Sequence, residues 1–82
     1  MVVFVAPGRG STGLVAGRRV GGAVVRNRAR RILRAAWRQL SSRVQGGKDY
    51  ALVARVSIRG AKTQDLVGEM EELLRRAQVM SS

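Results

Sequence analysis

The chain has 82 residues, 45% of them apolar, and sixteen Lys and Arg against five Asp and Glu give it a formal charge of +11. So short a chain buries only about 60 to 65% of the surface its unfolded form exposes, enough for one small core but not for a deep enclosed pocket. It contains no cysteine and no histidine, which excludes disulfides, thiol nucleophiles, imidazole bases and the usual zinc ligands. Neither a catalytic residue nor a protein-held metal is expected.

The opening MVVFVAPGRGS has five apolar residues after the initiator, no basic leading segment, and a stop at Pro7. A secretory h-region is longer and a bilayer span takes about 20 residues, so a soluble, cytoplasmic protein is expected. The β-branched run at 2–6 (VVFVA), ended by Pro7-Gly8, suits a buried strand. GRGSTG at 8–13 matches GxGxxG, but a dinucleotide site needs a helix to start there and an acid about 20 residues later. Strand-like residues follow instead, and the first acid is Asp49. The stretch is therefore expected to be a hairpin turn leading into a second strand at 14–20 (LVAGRRV), which Gly17 weakens.

Gly21-Gly22 punctuates, and AVVRNRARRILRAAWRQL at 23–40 reads as an amphipathic helix with six arginines and no acid. At about 100° per residue, Val25, Ala29, Ile32, Leu33, Ala36, Leu40 and Val44 share one face, with Trp37 at its margin. Asn27, Arg30, Arg31, Arg34 and Arg38 fall opposite, and Arg26 and Arg28 lie on the two flanks. Gly46-Gly47 is expected to stop the helix. Residues 49–56 (DYALVARV) alternate as a strand does. After the loop SIRGAK, a last helix is expected with Thr63 as N-cap and Asp65 in its first turn. Its apolar stripe is Leu66, Val67, Met70, Leu73, Leu74 and Ala77, with Arg75 and Arg76 near its C-terminus. The order β-β-α-β-α predicts an α+β fold, a two-layer α/β sandwich with helices on one or both faces of a small sheet.

Other motifs lead nowhere. Gly47-Lys48 is followed by Asp49, so it is no Walker loop. Glu69, Glu71 and Glu72 lie on the polar side of the last helix, where they read as a solvated face rather than acid–base pairs.

The charge is one-sided. Residues 1–48 hold eleven basic groups and no acid, whereas residues 49–82 hold five of each. A purely solvated arginine face would interleave acids at i, i+4, and here there are none. A membrane-surface helix would need its apolar face free, but the flanking strands consume it. A polyanion compensates such a field best. Fourteen of the sixteen basic residues are Arg, whose planar fork grips phosphate bidentately. The helix start after Gly21-Gly22 adds free N–H groups for phosphate. No helix-turn-helix spacing is present, and three aromatics, Phe4, Trp37 and Tyr50, make no evident stacking platform. The pattern suits phosphate and shape recognition of folded RNA.

The run from Arg18 to Arg34, RRVGGAVVRNRARRILR, resembles the "RNR" signature of the bacterial ribonuclease P protein component family. DYALVAR at 49–55 resembles that family's next strand and the closing Glu/Leu-rich helix its last helix, so the similarity covers about residues 2–78. The resemblance implies an α/β sandwich in which the arginine helix makes a left-handed βαβ crossover between parallel strands. It implies an RNA-binding subunit with no catalytic residue of its own, partnered by the ribonuclease P catalytic RNA and by precursor tRNA. That complex removes the 5′ leader using Mg²⁺ held mainly by the RNA. By motif, Arg18, Arg19, Arg26, Asn27, Arg28, Arg30, Arg31 and Arg34 become RNA contacts, and Arg38 continues the same helix face.

Family members usually begin with a basic helix and a strand ahead of the segment matching VVFVA, and that part carries aromatics that help line the leader-binding cleft. The 82 residues therefore read as a single, N-terminally shortened RNA-binding domain. Uncovered apolar sheet surface is then expected to favour self-association. The competing readings are a noncatalytic structural RNA binder, of ribosomal or assembly type, and a basic amphipathic membrane binder.

Overall fold

The structure, a computed structural model, describes residues 1–80. Its elements are β1 (Val2–Pro7), β2 (Thr12–Val15), α1 (Ala23–Leu40), β3 (Lys48–Val53) and α2 (Thr63–Arg76), with 3-10 turns at Arg18–Val20, Ser41–Arg43 and Val56–Ile58. The three strands form one sheet in the order β1-β3-β2. β1 runs antiparallel to β3, with Phe4 opposite Ala51, and β2 runs parallel to β3, with Leu14 beside Leu52.

β1 and β2 therefore do not form the expected hairpin, because β3 lies between them. The reason is visible in the turn. The Asp49 carboxylate accepts the N–H groups of Arg9 and Ser11, each at 3.0 Å. Gly8 N–H donates to Gly47 and Tyr50 N–H to Ser11. The polar groups of residues 8–11 are thus spent on the start of β3 and not on a turn closing β1 against β2. Two strand spacings of about 4.8 Å each lie within reach of a four-residue link at about 3.3 Å per residue.

Alternation along β3 aims Tyr50 and Leu52, with Ala54 just beyond, into the core at 5%, 0% and 6% exposure. Ala29, Leu33, Ala36 and Leu40 of α1 meet them, as do Leu66, Met70 and Leu74 of α2, in one contiguous core. α1 contacts β2 and α2, and α2 contacts β1, so both helices cover one face of the sheet. The other face stays open, with Phe4 and Val15 exposed.

Several boundaries differ from expectation. β2 ends at Val15, and the expected strand residues 18–20 form a 3-10 turn in which Val20 N–H bonds Gly17 O; Val20 is still buried, but from a turn. α1 stops at Leu40 because Ser41-Ser42 begin a 3-10 turn. Val44 leaves the helix face to bridge Met80, and Gln45 N–H donates to Val79 O. β3 ends at Val53, since Val56–Ile58 coil into a turn that buries Ile58. Thr63 sits inside α2 and Lys62 occupies the cap position, its N–H donating to Asp65 Oδ2 at 2.9 Å. Ala77 follows the end of α2 and is exposed.

Candidate nucleic-acid interface

α1 is the crossover between the parallel strands β2 and β3, so its orientation is set by the sheet beneath it. Ala29, Leu33, Ala36 and Leu40 face that sheet. The 3.6-residue period then forces Asn27, Arg31, Arg34 and Arg38 outward, and all four are exposed. Arg28, also exposed, lies on the flank toward α2 and donates from Nη2 to Ala61 O at 2.8 Å. Gln39 on the same flank bonds Gln64. Arg30, expected on the outward face, instead lies half-buried on the other flank, about a quarter turn from the buried stripe, where its Nη2 donates to Asn27 Oδ1. Arg26, half-buried as well, keeps its Nε shielded from solvent without a hydrogen-bond partner among the described residues.

The helix entrance is shaped by glycine. Gly21 has φ +150°, and a Cβ there would fall 2.9 Å from Val25 Cβ, so a side chain would both strain the backbone and collide with the first turn. Gly22 caps α1 with no side-chain hydrogen bond, leaving first-turn N–H groups and the positive dipole end without an internal acceptor. Arg18 and Arg19, both exposed, stand just ahead of it. They border a cavity of about 350 Å³ whose lining includes Val15, Val53, Arg55 and Val56. Arg55 lines this cavity together with Arg18 and Arg19, a placement that depends on the parallel pairing of β2 with β3, which local pattern does not encode.

Where the five acids go decides the electrostatics. Asp49 fastens the 8–11 turn and Asp65 caps α2. Glu69 meets the Met1 amino group, Glu71 pairs with Arg75 and Arg43, and Glu72 with Arg76. The Arg75 hydrogen bond holds the Glu71 carboxyl below its usual range; desolvation opposes it, and the nearby charges of Arg75 and Arg43 add to the lowering. Among the described residues, none of Arg18, Arg19, Arg26, Arg28, Arg30, Arg31, Arg34 and Arg38 has a carboxylate partner. The nine residues expected to contact RNA thus lie on one helix and the turn before it, and the seven that are neither Arg26 nor Arg30 are exposed.

The GRGSTG stretch is occupied by the chain's own Asp49 carboxylate, and a Cβ on Gly8 would overlap that group at 2.1 Å. Among the described residues no cluster of three His, Cys, Asp or Glu could hold a metal ion, and no helix is long and apolar enough to cross a membrane.

A family model described as Ribonuclease P matches residues 1–78. The chain belongs to that family. Among relatives within the Ribonuclease P family, the ribonuclease P protein component of Shouchella clausii is 32% identical over 84 residues, covering 98% of this chain and 69% of its own length. That of Chloroflexus aurantiacus is 42% identical over 81 residues, covering 94% and 60%. This chain thus spans about two thirds of the length of the curated relatives it matches. The Staphylococcus aureus RNase P protein structure superposes with a TM-score of 0.78 at 23% identity, over 96% of this chain and 75% of that one. At that identity the match speaks for the fold.

Proposed function

We propose that this chain is the RNA-binding protein subunit of ribonuclease P, assisting a catalytic RNA in hydrolytic removal of the 5′ leader from precursor tRNA. The observation that carries this reading is the row of α1 arginines without carboxylate partners, in a Ribonuclease P family chain whose five acids are all engaged elsewhere. Guanidinium groups over successive helical turns match phosphates along a folded RNA. Arg18, Arg19, Arg26, Asn27, Arg28, Arg30, Arg31, Arg34 and Arg38 are the contacts in this reading.

The division of labour follows from chemistry. The chain has no histidine or cysteine, and its carboxylates are committed to turns, caps and ion pairs. It binds and orients, while the partner RNA supplies catalysis and holds Mg²⁺. Neutralising phosphate repulsion where RNA helices and substrate meet lowers the Mg²⁺ needed for that assembly. A single RNA-binding domain working in the cytoplasm, where tRNA is processed, fits these properties.

Self-association belongs to the same reading. β1 is an edge strand without a charged residue, and the open sheet face exposes Phe4 at 58% and Val15 at 47%. Such a face and edge favour a second copy when RNA is absent.

Reconstitution is the test. The chain mixed with ribonuclease P RNA at low Mg²⁺ is expected to raise precursor-tRNA cleavage above that of the RNA alone. Unchanged cleavage with demonstrated RNA binding would return the chain to a purely structural RNA-binding role.

A further inference from the structure

A second cavity, of about 210 Å³, opens where α1 ends and where β2 and β3 begin; its lining includes Trp37, Ser41, Thr12, Gln45, Lys48 and Tyr50. Its walls are held in place. The Trp37 and Tyr50 rings pack at 5.0 Å between centroids with a 48° tilt. Tyr50 Oη donates to Gln45 O at 2.8 Å, and Gln45 N–H donates to Val79 O at 2.8 Å. Beside them, the 9–11 turn is fastened by Asp49. A preformed site spends little ordering entropy on a ligand.

The lining has a definite chemistry. The indole offers a π surface, Thr12 and Ser41 offer hydroxyls that donate or accept, and Lys48 brings an ammonium that has no hydrogen bond or ion pair among the described residues. The volume falls below the ~300 Å³ at which drug-sized pockets begin, so it suits one ring system. A planar ring with polar edges, attached to an anion, is the matching shape and charge.

Position links the cavity to the arginines. Arg30, Arg34, Trp37 and Ser41 follow at spacings of four, three and four residues, one row along a helix. From Arg30 to Trp37 the rise is roughly 10 Å, a distance that one or two nucleotides of extended chain can span. The row runs from guanidinium groups into the cavity. We propose that the Trp37 cavity receives one unstacked nucleobase of a single-stranded RNA segment whose flanking phosphates lie on Arg34 and Lys48. The proposal rests on the RNA-binding reading above and adds to it a base-accepting site among phosphate contacts.

Trp37 is the only tryptophan, so its emission reports the site directly. The full chain is titrated with a fluorescently labelled ten-nucleotide oligoadenylate and with an abasic oligoribonucleotide of equal length. Anisotropy reads binding and Trp37 emission reads occupancy. Both strands are expected to bind, but only the adenylate to quench Trp37, and the abasic strand to bind about tenfold more weakly, as loss of one stacked base implies. In Trp37→Leu that difference is expected to vanish. Should Trp37→Leu fail to fold, Lys48→Met at the rim is expected to shift quenching to higher concentration and to lower the salt slope by about 1. Binding of both strands with emission unchanged, or equal quenching by both, overturns the nucleobase site and leaves the RNA-binding reading standing. Binding of neither strand overturns both.

Discussion

Asp49 shows how much one side chain decides. By accepting from Arg9 and Ser11 it turns a glycine-rich stretch into the strap over β3 and engages that turn's N–H groups with an internal anion. Asp49→Ala is expected to cost about 1 kcal/mol in thermal or urea denaturation, the net worth of a partly exposed hydrogen-bonded carboxylate. The arginines obey the opposite logic. Arg34 is exposed and has no hydrogen bond or ion pair among the described residues, so Arg34→Ala is expected to weaken RNA binding severalfold while leaving the thermal midpoint in place. A fall in both would mark Arg34 as structural. Gly21→Ala should do the reverse, lowering stability first, because its φ of +150° and the nearness of Val25 leave no room for a methyl group. The outward arginines were legible from spacing alone, since the burial of Ala29, Leu33, Ala36 and Leu40 fixes the helix roll. Arg28's bond to Ala61 O was not, because it depends on where the 59–62 loop passes.

Between elements, the least legible feature was strand order. Local pattern marks VVFVA and DYALVARV as strands but carries no record of which lies in the middle. The central place goes to β3, whose Tyr50 and Leu52 are both buried beneath the helices. The β2–α1–β3 crossover is what allows parallel pairing, because adjacent parallel strands need a long return path. Core substitutions should be felt across both helices: Leu33→Ala is expected to cost about 2 to 5 kcal/mol, read as a lower denaturation midpoint. Acid sensitivity sits on α2. Folding depresses the Glu71 carboxyl through Arg75 and Arg43, so its contribution is present above the ordinary glutamate pKa and fades as pH falls through the lowered value. Glu71→Gln is expected to flatten the acid side of a stability–pH profile. Tyr50 works at the alkaline end: burial raises its phenol, so the stability tied to the protonated hydroxyl is kept below the ordinary tyrosine pKa and lost as pH climbs through the raised one.

At the scale of the whole molecule, the +11 surplus lies in the first 48 residues, and the outward arginines of α1 carry part of it without a carboxylate partner among the described residues. Affinity for RNA is therefore expected to fall linearly on a log–log plot against salt, with a slope near −0.7 per single-strand phosphate contact neutralised. A flat dependence would remove the electrostatic basis of the proposed function. The order of the strands has a further consequence for biosynthesis. β3, the shared partner of β1 and β2, is completed only at Val53. A ribosome that has released the chain only as far as residue 47 thus holds out β1, β2 and a cationic helix without the strand that joins them. Nascent chains stalled there are expected to be digested rapidly by protease, and resistance is expected only after the third strand and α2 emerge.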